Sequence, residues 1–187
     1  IWKIAMWGTM ADFSLITRLK SKRTFIDFVE ENQMIKGVGL QFVDSTTTRP
    51  FQNNIIGLLP YLAPGSIQRY VTPQKSIEDL SVGLTSSTSK IYKKLGWEEG
   101  EPISLFRRLG RIEAFKGPHV LIKMGLSNKK IGASYIPYSC SYNSKVLGIS
   151  GVSESHLKFI TALLNSSFAS YFLFLTSASI GIEREEI

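Results

Sequence analysis

The chain is predicted to fold as an α+β domain, in which a small antiparallel sheet packs on a long C-terminal apolar helix, with additional N-terminal helices and strands. Three short apolar runs separated by turn residues lie within residues 120–150, a pattern typical of antiparallel strands. Apolar residues recur three and four positions apart over residues 156–176, which is helical periodicity. The composition is that of a globular protein, with 43% hydrophobic and 20% charged residues.

The N-terminal part of the chain is predicted to contain a strand, two helices and a second strand. Trp2 to Trp7 is predicted as the first strand, and Asp12 as the start of a helix that runs to Lys22. Thr24 is predicted to cap a second short helix ending at Glu31. Residues 37–43 are predicted as the second strand, with Gly37 as a turn or strand-entry residue.

The middle of the chain is predicted to be less regular. Residues 51–66 contain two prolines and are expected to form an irregular connection, followed by a short strand at residues 67–71. Its packing residues are expected to be Ile55, Ile56, Leu58, Leu59, Tyr61 and Leu62. Residues 84–90, LTSSTSK, are predicted to be a loop. We expect a single domain over residues 1–187, with this loop as its candidate internal boundary.

The C-terminal part carries the clearest pattern. Strands are predicted at residues 120–124, 131–136 and 138–150, with a turn between the first two. Ser153 is predicted to cap the helix that follows. Because apolar residues such as Phe168 occupy almost every face of this helix, we expect it to be mostly buried. The polar residues within it favour a core helix over a membrane span.

The cysteine and histidine content limits the chemistry. The single cysteine, Cys140, cannot form an internal disulfide, which fits a reducing cytosol and a cytoplasmic protein. Its strand-like surroundings predict a buried thiol. One cysteine with two distant histidines does not match a zinc site. His119, which enters a predicted strand after Gly117-Pro118, is expected to be structural.

The net charge of +7 is concentrated in one part of the chain. Residues 101–150 hold 8 basic and 2 acidic side chains, whereas residues 151–187 hold 2 basic and 4 acidic ones. A local excess of positive charge attracts polyanions, above all nucleic acid. The alternative is that these are solvated side chains that keep the domain soluble.

Three groups of residues are candidates for contact with DNA. Arginine pairs with phosphate or reads guanine through two hydrogen bonds, and a lysine beside an aromatic ring suits backbone or stacking contacts. The candidates are Arg107, Arg108 and Arg111, then Lys93 and Lys94, then Asn128, Lys129 and Lys130 on a predicted hairpin tip. A further basic group, Arg18 to Arg23, is expected to be balanced by Asp12, Asp27, Glu30 and Glu31.

Several segments in a fixed order resemble a known family. They are Trp7-Gly8-Thr9 with Asp12, Phe115 to Lys123, Leu163 to Ser167, Tyr171, and Glu183-Arg184. This set resembles the specificity, or target-recognition, region of TaqI-like adenine-specific DNA methyltransferases and related fused restriction–modification enzymes. The resemblance extends from about Trp2 to Ile187. It implies a domain that clamps double-stranded DNA against an N-terminal methyltransferase domain while the target adenine is flipped out.

The resemblance assigns no fixed base-reading residues, because those vary with the recognised sequence. The chain also lacks the catalytic parts of the family. None of its seven prolines are adjacent, so the Pro-Pro catalytic loop is absent, and Gly37-Val38-Gly39 has no third glycine for a cofactor-binding turn. Because both catalytic parts are missing, we expect the chain to be non-catalytic and without its own cofactor. Its start at Ile1 without a methionine is expected of a fragment of a longer protein. S-adenosylmethionine would bind in the preceding catalytic domain.

Two other functions remain open at this point. One is a structural or docking module whose apolar helix packs on another domain or subunit and whose charge is incidental. The other is a small hydrolase with an unrecognised arrangement of residues, although the chain has no Gly-x-Ser-x-Gly nucleophile elbow. Salt-dependent binding of duplex DNA separates the target-recognition function from the docking function.

Overall fold

The computed structural model describes residues 2–43, 51–72, 105–125 and 130–176, together with Thr47 and Arg49. The candidate boundary at residues 84–90 lies outside these ranges. The helices are α1 Trp2–Trp7, α2 Met10–Lys20, α3 Phe25–Glu31, α4 Asn54–Gly57, α5 Glu154–Leu164 and α6 Ser167–Thr176. The strands are β1 Ile35–Val38, β2 Gln41–Phe42, β3 Phe51–Gln52, β4 Tyr61–Leu62, β5 Tyr70–Val71, β6 Leu105–Arg108, β7 His119–Lys123, β8 Ala133–Ile136, β9 Ser141–Tyr142 and β10 Val146–Ser150.

The α+β prediction is confirmed. The largest described sheet has five strands in the order β1-β10-β7-β8-β5. Its first four strands are antiparallel, and β5 is parallel to β8. A second sheet has the order β2-β6-β3 with antiparallel pairing, and β4 pairs with β9 in parallel. The predicted strand at residues 138–150 is therefore two strands, β9 and β10, in different sheets.

The five-stranded sheet is buried on both faces. On β7, Val120 and Ile122 point to one side and Leu121 points to the other, as the two-residue period of a strand requires. The first side packs against Leu157 and Ile160 of α5. The second side packs against the smaller sheets. The core therefore has two layers, one on each face of the five-stranded sheet.

The prediction of a strand at Trp2–Trp7 is wrong, because this segment is helix α1. Lys3 and Ile4 are both buried although they are adjacent. A strand would point them to opposite faces, whereas a helix can bury two neighbours against one partner. The partner is α6, where Leu175 lies in the same small core as Ile4 and the Phe174 ring lies 5.7 Å from that of Trp7.

Side-chain caps start the next two helices. Thr9 caps α2, three residues before the predicted start at Asp12, and the Asp12 carboxylate accepts the Thr9 backbone N–H at 2.6 Å. Thr24 and Asp27 make the same capping box at α3, as predicted for Thr24. Gly37 lies inside β1 rather than at its entry. A Cβ at this position would be 2.7 Å from the Cβ of Ala114, so the close packing here favours glycine.

The predicted C-terminal helix is divided in two. Ser153 caps α5 as predicted, but α5 ends at Leu164 and α6 leaves at an angle of 63°. Phe168 is 44% exposed, so the prediction that this helix is mostly buried is wrong for α6. Among the described residues, no single helix is long and apolar enough to cross a membrane, although α5 and α6 would meet that test as a bent pair.

The break between α5 and α6 is held by Asn165. Its side-chain amide donates to the carbonyls of Ala133 (2.7 Å) and Thr161 (2.8 Å). Its Oδ1 accepts from Ala133 N–H at 3.3 Å and from Arg69 Nε at 3.1 Å. The Arg69 guanidinium also donates to the Asn165 backbone carbonyl, so it satisfies an acceptor that the end of α5 leaves open. Asn165 therefore joins the helix break to strand β8.

Candidate nucleic-acid interface

Strand β6 carries Arg107 and Arg108 directly after a buried residue. Phe106, the residue before them, is fully buried and lies opposite Phe42 of β2 and Phe51 of β3. Both arginine side chains are exposed. The register between β2 and β6 shifts here, since Gln41 lies opposite Arg108 and Phe42 opposite Phe106, so Arg107 is an extra, bulged residue on β6. The central position of β6 in the three-stranded sheet holds the backbone of both arginines in place.

Arg111 is held by close backbone packing. Gly110 lies against the carbonyl oxygen of Val38, where any Cβ would overlap it, so only glycine fits. The Arg111 carbonyl then accepts the N–H of Ala114 at 3.0 Å and begins the short 3-10 helix Ile112–Phe115. The Arg111 side chain is exposed. The three arginines are thus close in sequence, and all are exposed.

Strand β3 and helix α4, next to β6, expose apolar side chains. Asn53 caps α4 by accepting the Ile56 N–H at 3.0 Å, and Ile56 is buried. Ile55 and Leu58 are 67% and 76% exposed, and Phe51 is 55% exposed. The expectation that Ile55 and Leu58 pack the connection is wrong, because this short helix buries only one side. Sequence reasoning missed this apolar surface, although Asn53 was a recognisable cap before it.

The segments that build this region are free of acidic residues. Residues 51–72 and 105–112 contain no aspartate or glutamate, and Glu113 is the first acidic residue after β6. Arg49, two residues before Phe51, is exposed. We call Arg49, Arg107, Arg108 and Arg111 the arginine surface. The positive charge of these exposed side chains favours an anionic ligand.

The lysine candidates are described only in part. Lys130 is exposed at an isolated bridge shortly before β8. Asn128 and Lys129, on the predicted hairpin tip, lie outside the described residues, as do Lys93 and Lys94. Lys130 is therefore the one lysine of these groups that the described residues include.

Two of the acidic residues expected to balance the basic group at the end of α2 interact with Arg23. Arg23 pairs with Glu31 at 2.9 Å, and its charge also attracts the Asp27 carboxylate. Asp12 and Asp27 accept hydrogen bonds in the capping boxes and stay negatively charged. The hydrogen bond from Tyr171 and those from Thr9 hold the pKa of Asp12 below its usual value. Arg18 is exposed.

A buried histidine and cysteine lie next to each other in the core. His119 Nδ1 is 3.0 Å from the carbonyl oxygen of Ala114, which can only accept, so Nδ1 carries the proton. The other ring nitrogen, Nε2, then accepts from the Cys140 thiol at 3.4 Å. Burial lowers the pKa of His119 to about 4 and raises the pKa of Cys140 to about 12. Both groups are neutral at pH 7, as expected for a structural histidine and a buried thiol.

This pair does not support the hydrolase hypothesis. A nucleophilic cysteine needs a thiolate and access to substrate, and Cys140 is fully buried with a raised pKa. Within the described ranges, no group of three or more His, Cys, Asp and Glu side chains is arranged to hold a metal ion. No protein-family model matches the chain, and no curated protein matches it.

Proposed function

We propose that this chain is a double-stranded DNA target-recognition domain of an adenine-specific DNA methyltransferase or restriction–modification enzyme. The arginine surface is the observation that carries this proposal. Arg107 and Arg108 project from a strand whose neighbour Phe106 is buried, and Arg111 follows the close contact at Gly110. The ordered resemblance to TaqI-like specificity regions supports the same function.

The arginines differ in their backbone positions. Arg107 is the bulged residue of β6 and Arg111 follows the close contact at Gly110, so we propose that they reach different groups of the duplex. A guanidinium that contacts phosphate positions the protein, whereas one that pairs with guanine in the major groove reads sequence. Both need exposed side chains on a fixed backbone.

The proposed domain is non-catalytic by itself. S-adenosylmethionine would bind in an N-terminal methyltransferase domain of the same protein, which would act on the flipped adenine. That domain and double-stranded DNA are the proposed partners, and the cytoplasm is the proposed location.

Duplex binding at several salt concentrations tests the proposal. We expect the affinity of the chain for a fluorescent duplex to fall with salt, because bound arginines release counterions from phosphates. Arg107→Ala, Arg108→Ala and Arg111→Ala should each flatten the slope of log affinity against log salt by about 0.9 for a phosphate contact. A guanine-reading arginine should instead cost about 1–3 kcal/mol at one base position.

Arg18→Ala is the matched control, since Arg18 is an exposed arginine on α2, away from the arginine surface in sequence. If Arg18→Ala weakens binding while the other three variants bind normally, the arginine surface is not the interface. Absence of any salt-dependent duplex binding by the chain would contradict the proposed function.

A docking module is the second candidate, and a specific observation favours it. Helices α1, α2 and α6 expose apolar side chains, which we call the helical apolar surface: Met6, Trp7, Met10, Phe13, Phe168 and Phe174. Large exposed apolar areas often contact other proteins. A pure docking module predicts no salt-dependent duplex binding, so the salt series separates the two functions.

A further inference from the structure

Two glycines form a recess in the five-stranded sheet next to the backbone of Arg111. Gly37 of β1 and Gly148 of β10 lie directly opposite each other in the register of these strands. A Cβ at Gly37 would be 2.7 Å from the Cβ of Ala114 and 3.3 Å from the backbone nitrogen of Arg111. A Cβ at Gly148 would be 1.9 Å from the Tyr142 hydroxyl oxygen. Because both positions lack a side chain, the sheet admits the turn after Arg111 and the tyrosine hydroxyl together.

Two buried donors hold the carbonyl of Ala114 in this recess. The Tyr142 hydroxyl donates to it at 3.0 Å, and His119 Nδ1 donates to it at 3.0 Å. A phenylalanine would fill the same volume as Tyr142, whereas a buried hydroxyl costs free energy unless it is hydrogen-bonded. The hydroxyl therefore contributes a fixed position for the short 3-10 helix Ile112–Phe115, rather than packing.

The turn that these donors hold begins at Arg111. The Arg111 carbonyl accepts the Ala114 N–H at 3.0 Å, so both peptide groups of Ala114 are hydrogen-bonded. On the other side of Arg111, Gly110 packs against the carbonyl oxygen of Val38. The backbone of Arg111 is thus fixed on both sides, while its side chain is exposed.

A fixed backbone favours one kind of DNA contact over the other. A guanidinium can reach a phosphate from a mobile segment, because a phosphate contact depends mainly on charge. Two simultaneous hydrogen bonds to guanine require a held geometry. We propose that Arg111 reads a guanine in the major groove and that Tyr142 is its positioning residue, acting through the Ala114 carbonyl. This inference rests on the proposed function and names the residue that determines specificity.

Selection from a duplex library with a randomised centre tests this assignment. We expect the wild-type chain to enrich guanine about fivefold or more at the base position that Arg111 reads. Arg111→Ala should abolish the preference at that position. Tyr142→Phe should reduce the same preference by about threefold, as the loss of one buried hydrogen bond allows, and leave the other positions unchanged.

A double-mutant cycle on the selected duplex separates positioning from general stability. In the Arg111→Ala background, Tyr142→Phe should have no further effect on binding, because it acts through the missing side chain. Thr161→Val is the matched control, since it removes another buried hydroxyl that donates to a backbone carbonyl, at 2.9 Å within α5. This control should keep the base preference of the wild type.

Thermal unfolding verifies that each variant is folded. If Tyr142→Phe does not fold, Gly37→Ala replaces it, because its Cβ would displace the turn at Ala114 without removing a hydrogen-bond donor. The expected result is the same loss of preference at the position that Arg111 reads.

The outcomes separate this inference from the proposed function. If Arg111→Ala weakens binding equally for all sequences, base reading by Arg111 is overturned. An unchanged preference in Tyr142→Phe, an equal loss in Thr161→Val, or an effect of Tyr142→Phe that persists without Arg111 overturns the positioning role. Each of these results leaves the proposed function intact. If the chain binds no duplex, or enriches no base, both proposals fall.

Discussion

At the scale of single residues, Asn165 shows how one amide sets the path of the chain. All four of its side-chain hydrogen-bonding positions are used: two by Ala133, one by Thr161 and one by Arg69. An aspartate lacks the donors that the two carbonyls require, and a leucine lacks all four positions. Asparagine is therefore the side chain that this buried helix break needs.

Replacing Asn165 tests this account. Asn165→Ala should reduce the free energy of unfolding by about 2–4 kcal/mol, because the backbone N–H and C=O of Ala133 lose a buried partner. Urea unfolding measures the loss. Ser167→Ala, an exposed neighbour at the start of α6, is the control and should change stability little. An equal effect in both variants would show that the break depends on something other than the amide.

His119 makes stability depend on pH. Its pKa falls from the ordinary 6.5 to about 4 on folding, because burial disfavours the imidazolium. The unfolded chain then binds the proton more tightly, so stability is complete above pH 6.5 and is lost as the pH falls towards 4. The loss should reach about 3 kcal/mol.

Urea unfolding at neutral pH and near pH 4.5 measures this dependence. His119→Asn does not titrate, so its stability should change less between the two pH values than that of the wild type. Carboxylates with lowered pKa values, such as Asp12, titrate in both proteins and cancel in the comparison. An identical pH dependence in wild type and variant would mean that the pKa of His119 does not change on folding.

At the scale of elements, α6 is an apolar helix with unequal burial. Leu175 is 2% exposed and packs with Ile4 and Ile16, whereas Phe168 is 44% exposed. Leu175→Ala should cost about 2–5 kcal/mol of unfolding free energy, as buried leucines do. Phe168→Ala should cost much less, since partial exposure leaves less apolar area to lose.

Thermal and urea unfolding of the two α6 variants give the comparison directly. A larger loss for Phe168→Ala than for Leu175→Ala would show that the exposed side of α6 is covered by another part of the protein. That result would favour the docking function, in which the helical apolar surface has a partner.

At the scale of the whole molecule, the exposed apolar regions differ in their charged neighbours. Phe51, Ile55 and Leu58 lie in residues 51–72, a segment without acidic residues. The helical apolar surface includes both signs of charge, since Asp12 on α2 accepts a hydrogen bond from Tyr171 on α6 and Lys3 on α1 lies against the Phe174 ring. A polyanion such as DNA is therefore favoured at the arginine surface, whereas the helical apolar surface suits a protein partner.

Local patterns in the sequence determined much of the fold. Short apolar runs bounded by turn residues predicted strands β7 and β8, and the cap residues Thr24 and Ser153 predicted where α3 and α5 begin. The strand-like surroundings of Cys140 predicted its burial. These features depend on neighbours a few residues away, so they are visible in the sequence. The same holds for the arginine candidates, because exposure is the ordinary state of arginine.

Only the tertiary structure decided the features that depend on distant contacts. Trp2–Trp7 is a helix because α6 buries its adjacent residues Lys3 and Ile4, and the C-terminal helix breaks where Asn165 meets Ala133 and Arg69. Ile55 and Leu58 have the same apolar character as buried Ile56, and which of them is exposed depends on what α4 packs against. Periodicity shows which residues are apolar, whereas burial depends on a partner that the sequence alone does not place.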